Sequence, residues 1–374
     1  MSGLTSSGTD STSHPQFSVA LLGKRDMPTD GLEDYCTFLA RALAQQGRKL
    51  ELARVEWFDR GWTLALWKLW RESAAWRGRW VLVQYTGLGW SRRGFPVGIL
   101  AALAILRRRG CRCAIVFHEF TRQSGGTRRI DRLRGDCQQW VIGRLHRGSM
   151  KSIFTVPLEK VGWLPKEDAK SAFIPIGANI PERLDHRREP ETTEQPRTVI
   201  VFGVTGAPRT AGEVEEIAAV MNQASKSLPA LRLVVIGRGA MEARRGLETA
   251  LAGSGVEIVV RGVAPAEEVA DEFARADVLL FVRGAITLQR GSAIAGVACG
   301  LPIVGYRVGG GDALDEAGIE WSPWRDQQGL VRGLVRVLSD SARWTELHER
   351  SLRAQRDHFS WTRIAEQFRA SLLQ

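Results

Sequence analysis

Long apolar runs, paired cysteines and acidic charge are what this sequence has little of. No stretch of about 18 uncharged apolar residues occurs, so no helix is expected to span a membrane. The nearest candidate, Phe95 to Leu106, runs straight into Arg107, Arg108 and Arg109 and reads as a buried helix. The cysteines (Cys36, Cys111, Cys113, Cys137 and Cys299) are odd in number and form no C-x-x-C pair. Cys111-x-Cys113 has no second pair to complete a zinc site, so reduced, mostly buried thiols of a cytoplasmic protein are expected. G-x-G-x-x-G is missing after the first apolar strand, which gives no support to a dinucleotide cofactor. The start carries no signal-peptide pattern, and residues 1–16, polar and low in complexity, are expected to be disordered. Acids are outnumbered: 41 Asp and Glu stand against 52 Lys and Arg, a net charge of +11. That balance points to an anionic partner, which a phosphorylated ligand, an acidic membrane surface or a nucleic acid would satisfy.

What is present is alternation. With 44% apolar residues over 374 positions, the chain can build two cores. FSVALLG (17–23), KLELARVEW (49–57), WVLVQY (80–85) and CRCAIVFHEF (111–120) read as strands. Amphipathic helices fall over 30–46, 95–109 and 131–146, and short strands over 152–157 and 171–177. LDHRREPETTEQPR (184–197) is polar and proline-containing and reads as a linker. The alternation then restarts with TVIVFG (198–203), LRLVVIG (231–237), VEIVVRG (256–262), DVLLFV (277–282) and LPIVGY (301–306), each separated from the next by helical pattern. An α/β protein of two Rossmann-like parallel-sheet domains facing a cleft is expected, at 17–183 and 198–356, with ligands beyond the carboxyl ends of the strands.

Several residues at those strand ends carry candidate chemistry. Gly31 opens the first helix and lets backbone approach a ligand, although an ordinary strand–helix turn has the same form. His118 and Glu119 follow the apolar strand CAIVF, where an imidazole can hydrogen-bond a hydroxyl or stabilise developing charge; a rim histidine satisfied by backbone is the plain alternative. Arg209 stands just before a helix and can reach the cleft to neutralise a diphosphate, although a solvated surface arginine is the plain alternative. Gly237 and Gly239 flank Arg238 in a tight turn. Arg290-Gly291-Ser292 sits where another helix should begin, with Ser as its expected cap, and offers a cation beside free helix amides, as a phosphate site requires. The same pattern also serves an ordinary capped connection.

Trp57, Trp62, Trp67, Trp70, Trp76, Trp80 and Trp90 are interleaved with Arg60, Lys68, Arg71, Arg77, Arg79, Arg92 and Arg93. A helix over 62–71 places Leu66, Leu69 and Trp70 on one face, with Trp67 well round from it. Aromatic bulk packed on the first sheet is the favoured reading, and a membrane-interface segment is the second. No nucleic-acid-binding module appears, so no nucleic-acid partner is expected.

The order FGVTGAPR, LRLVVIGRG, VRGV, ADVLLFV and ACGLPIVG, with FIPIGANIP (173–181) and FSWTRIAEQF (359–368), resembles the GT-B glycosyltransferases of family 4 over about residues 17–373. The resemblance implies a donor domain at 198–356 and a final helix (357–374) crossing back to the N-terminal acceptor domain. It implies Gly31 under the donor diphosphate, His118 on the donor sugar, Arg209 on the phosphates, Gly237 and Gly239 at the base, and Arg290, Gly291 and Ser292 at diphosphate or ribose. The glutamate pair usual in that family falls on Thr287 and Ala295; the chain instead resembles a subset with Thr-x-x-Arg-Gly-Ser. No Lys partner follows Arg209. The implied reaction is retaining transfer of a hexose-type sugar from a nucleotide-diphosphate sugar to a glycan or lipid-linked acceptor. No metal or cofactor is expected for it; the cysteines point to the cytoplasm, and the net positive charge and the Trp/Arg segment allow peripheral contact with an anionic membrane. The missing glutamates leave two other readings open, a non-catalytic glycan- or nucleotide-binding relative and a nucleotide-sugar epimerase of the same fold.

Overall fold

The computed structural model describes residues 17–122, 128–183, 196–205, 210–228 and 230–373. The expected tail at 1–16 and most of the expected linker (184–195) lie outside the described residues. Two six-stranded sheets carry the fold. The first comprises β1 (Phe17–Leu22), β2 (Lys49–Arg54), β3 (Trp80–Tyr85), β4 (Arg112–Phe117), β5 (Lys151–Phe154) and β6 (Ser171–Phe173). The second comprises β7 (Arg197–Phe202), β8 (Leu231–Ile236), β9 (Glu257–Arg261), β10 (Val278–Ala285), β11 (Ile303–Arg307) and β12 (Ile319–Pro323). Strand orders are β2-β1-β3-β4-β5-β6 and β12-β11-β10-β7-β8-β9, and every pairing is parallel. The order reverses at β1/β3 in one sheet and at β7/β10 in the other, and crevices open at such reversals beyond the carboxyl ends.

Helices cover both faces of each sheet. In the first half these are α1 (Gly31–Gln45), α2 (Trp57–Arg60), α3 (Trp62–Glu72), α4 (Gly98–Arg108) and α5 (Arg129–Gly148). The second half has α6 (Thr210–Ala224), α7 (Ala240–Ala250), α8 (Ala266–Arg275), α9 (Gly291–Ala298), α10 (Gln327–Ser339) and α11 (Ser341–Ala354), and α12 (Trp361–Leu373) ends the described chain. The alternation of side chains along β1 and β3 sorts the two faces. Val19, Leu21, Val81 and Val83 pack with α3, α4 and α5, whereas Ala20, Leu22 and Leu82 pack with α1 and α12.

α12 thus returns to the first sheet. Ser360 caps it, its Oγ accepting from Arg363 N at 3.3 Å, and Trp361, Ile364, Ala365, Phe368 and Leu372 form its buried stripe. Phe368 is fully buried, a contribution of roughly 2–3 kcal/mol. Trp361 sits against Tyr35 and Phe38 of α1, and Trp80 Nε1 donates to Leu372 O at 2.9 Å.

Cys36, Cys111, Cys113 and Cys299 are buried, Cys137 is partly so, and all are free. Burial pushes the thiols of Cys113 and Cys299 up to about 12. The tryptophan-rich segment divides. Trp57, Trp76, Trp80 and Trp90 are core, but Trp67 and Trp70 are 57% and 39% exposed. Of Leu66, Leu69 and Trp70, the first two face the core and Trp70 stands at its edge. α3 buries Ala65 and Leu69, and rotation by about 100° per residue carries Trp70 outward.

Candidate functional site

At the β7/β10 reversal the second sheet presents cations. β7 is followed by Gly203 (φ 77°), and a Cβ there would lie 2.9 Å from Arg283 Nη1. The missing side chain makes room for this partly buried guanidinium, whose Nε donates to Thr205 Oγ1 at 3.4 Å. Burial lowers the Arg283 pKa; Glu213 opposes that, and Arg290 and Arg238 add to it. An arginine stays protonated through such a shift. Arg283 was not among the residues singled out in the sequence. The available signal was a lone cation closing the buried run VLLFV.

Arg290 lies beside it. Its guanidinium is placed 3.5 Å from where a Cβ on Gly284 would stand, and Gly284 has φ 86°. Arg290, not Ser292, occupies the cap position of α9, and its side chain makes no capping bond. Ser292 is the second residue of the helix. Arg290 O accepts from Ala293 N and Ile294 N, while the amides of Gly291 and Ser292 have no partner among the described residues. Arg290 likewise has no acidic partner among them. Two free amides at a helix start and an unpaired guanidinium make an anion site in which dipole and full charge have the same sign.

Thr287 and Ala295, the positions of the absent glutamates, differ in setting. Thr287 is exposed and its carbonyl accepts from Arg290 N at 2.9 Å; Ala295 is 1% exposed inside α9. Gly237 (φ 102°) and Gly239 (φ 76°) form the turn after β8. A Cβ on Gly239 would meet Val204 O at 2.1 Å, so only glycine fits. Arg238 between them reaches the first domain, donating to Asp26 Oδ2 at 3.1 Å and Thr29 O at 2.7 Å. Arg209 lies outside the described residues.

The first sheet supplies the facing wall. Its β1/β3 reversal opens a cavity of about 430 Å³ lined by Lys24, Asp30, Gly31, Thr86, Gly89 and Glu119, among others. Asp30 caps α1 through Leu32 N and Glu33 N and pairs with Arg54 at 2.9 Å. Gly31 is exposed; a Cβ there would meet only Asn179 Nδ2 at 3.5 Å, an ordinary contact, so the protein's own packing does not require glycine. Glu119 Oε2 accepts from Gly87 N at 2.6 Å.

His118 stands at the end of β4, edge-on to Tyr35 at 4.9 Å. Its Nε2 lies 2.8 Å from Gln84 Oε1, and Gln84 Nε2 donates to Leu82 O. The second bond fixes which end of the amide faces the ring, so Nε2 carries the proton and Nδ1 is left as an acceptor. The residue keeps a partial opening to solvent, but protein hems the ring elsewhere, and burial lowers its pKa to about 4. Near neutrality it is an uncharged hydrogen-bonding group. Its bond to Gln84 is what a rim histidine satisfied by its own protein would make, and the free Nδ1 can still accept from a hydroxyl. The halves meet here: Gln289 Nε2, one residue before Arg290, donates to His118 O at 2.6 Å and to Thr155 Oγ1 at 3.2 Å.

Two parallel-sheet domains with opposed carboxyl edges and a crossing-back C-terminal helix make this a GT-B fold. Solved structures agree. The chain is similar to Anabaena Alr3699/HepE in complex with UDP and glucose (TM-score 0.66, 12% identity, 96% of this chain and 99% of that one). It is similar to WaaG, a glycosyltransferase involved in lipopolysaccharide biosynthesis (TM-score 0.61, 15% identity, 95% and 99%). A third likeness is to a putative UDP-N-acetylglucosamine 2-epimerase from Listeria monocytogenes (TM-score 0.60, 10% identity, 96% and 96%). Within that fold, residues 197–340 match the family model of Glycosyl transferases group 1. No curated protein matches the chain in sequence.

Proposed function

We propose that this protein transfers a hexose-type sugar, with retention, from a nucleotide-diphosphate sugar to a glycan or lipid-linked acceptor in bacterial-type cell-surface or exopolysaccharide synthesis. The observation that carries this reading is the set of uncompensated donors at the β7/β10 reversal. Arg283 and Arg290 lie close enough to repel each other, and the unpartnered amides of Gly291 and Ser292 follow Arg290 at the start of α9, within the segment that matches the family model. These groups hold the diphosphate and stabilise it as it departs, and catalysis is positioning plus electrostatics without a metal. Arg209 adds to the same charge, and Gly237 and Gly239 border the base. Thr287 and Gly31 line the donor from either side, and neutral His118 orients a sugar hydroxyl through Nδ1. The acceptor enters through the cavity between Gly31 and Glu119. The enzyme works in the cytoplasm, peripherally on the inner face of the membrane.

The test is release of nucleoside diphosphate from a panel of nucleotide sugars. At least one donor should turn over, and Arg290→Ala should slow it about 100-fold, near 3 kcal/mol of transition-state stabilisation. No binding and no turnover with any donor would overturn the transferase reading. Turnover unchanged in the variant would remove Arg290 from the site. Conversion of the sugar without release of diphosphate would favour the epimerase reading.

A further inference from the structure

α3, α4 and α5 adjoin on one face of the first sheet, and their outer surfaces carry a feature that the cleft does not use. Between α4 and α5 lies a groove of about 420 Å³ whose lining includes Leu100, Ala104, Arg107, Trp140, Arg144 and Arg147. The floor is aliphatic, Trp140 is 48% exposed at its side, and the Arg144 guanidinium stands 5.5 Å from the Trp140 ring. None of the three arginines has an acidic partner among the described residues. α4 itself contains no acid, and neither does α5 from Gln138 onward. The groove is flanked by more of the same chemistry. Arg109, just past α4, donates to Trp70 O at 2.8 Å and covers the Trp70 ring at 3.7 Å. On α3, Arg71 covers the exposed Trp67 ring at 4.8 Å, and Leu64 is 61% exposed.

These helices run antiparallel to the strands, so the arginines at their carboxyl ends gather toward the amino edge of the sheet, away from the donor cleft. Unpaired guanidinium groups over an aliphatic floor, bordered by tryptophans, match a surface whose outer layer is anionic phosphate and whose next layer is apolar.

We propose that the α4–α5 groove binds the phosphate of an anionic lipid headgroup while Trp140, Trp67 and Trp70 enter the interfacial layer of the bilayer. This gives the peripheral contact in the proposed function its site and rests on that part of the reading. It is separable from the donor chemistry, because vesicle-free diphosphate release reports the cleft alone. The experiment is co-sedimentation of the full chain with phosphatidylglycerol vesicles and with phosphatidylcholine vesicles at fixed ionic strength.

The expected result is binding to the first and little to the second. Arg144→Gln/Arg147→Gln should weaken it roughly 25-fold, at about five-fold per cation removed. Arg144→Lys/Arg147→Lys should keep most of the binding, which separates lost charge from lost folding, and diphosphate release should be equal in all three proteins. Equal partition onto neutral vesicles, no partition onto anionic ones, or a double glutamine variant that binds like the wild type would overturn the proposal. Displacement by millimolar inorganic phosphate would also overturn it, since the groove would then be a site for a soluble ion.

Discussion

At the carboxyl edge of the first sheet, Arg54 is held between Asp30 and Glu33 at 2.9 and 3.0 Å, and Arg25 pairs with Glu33 at 2.7 Å. Glu119 is bound to a backbone amide. Across the cleft, Arg290 has no acidic partner among the described residues, and Arg283 has only the field of Glu213 to offset burial and two neighbouring cations. The arginines of the first edge are paired within their own half, and that edge can select by shape and hydrogen bonds. On the second, Arg238 is paired with Asp26 across the cleft, but Arg283 and Arg290 keep their charge, which costs stability that a ligand counterion would return. The family match follows the same division, covering 197–340 and none of the first half.

The sharpest way to break this contrast is at Arg283. If its charge serves the bound diphosphate, Arg283→Gln should lower diphosphate release by 10²–10³, about 3–4 kcal/mol. The folded protein should at the same time become no less stable, since a cation repelled by its neighbours is removed. A destabilised variant with normal turnover would make Arg283 a structural residue.

On the first edge the decisive group is neutral. The His118 pKa falls from 6.5 to about 4 in the folded protein. Between those values the unfolded chain takes up a proton that the folded chain refuses, so stability falls as pH drops through that window. The full loss from this residue is about 3 kcal/mol. His146, also lowered by burial, acts in the same direction. Chemical denaturation at pH 7 and pH 5 checks this, and His118→Gln should flatten the dependence. An unchanged pH dependence in the variant would show that the imidazole is charged when folded.

The smallest effect is expected where the edges touch. Gln289→Ala removes two hydrogen bonds across the cleft and should cost about 1 kcal/mol in denaturation experiments. A turnover loss as large as that of Arg283→Gln would show that Gln289 touches substrate.

Much of the architecture was legible because buried parallel strands write themselves as apolar runs, and VLLF and CAIVF have no other plausible fate. β12 was not, since its sequence IEWSP is short and half polar; it pairs as an edge strand beside β11. The exposure of Trp67 and Trp70 on α3 was misjudged because tryptophan reads as core bulk. Here, cations covering Trp67 and Trp70 make exposure tolerable. In the site, the Arg290-Gly291-Ser292 segment was legible as a helix start, although the cap fell on Arg290. Arg283 was hidden because its meaning depends on Gly203, 80 positions earlier, making room for it, and no local pattern records such a partner.

The return of α12 has a consequence for synthesis. Trp80 is bonded to Leu372, 292 residues later, and Tyr35 packs against Trp361. Part of one face of the first sheet, the part α1 leaves open, therefore lacks its cover until residues 361–372 have left the ribosome, although the second sheet has been made by then. The first domain can collapse early but cannot complete its core before α12 arrives. The half made first is the half completed last, and a nascent chain stalled before residue 361 should carry a finished second domain beside an unsealed first one.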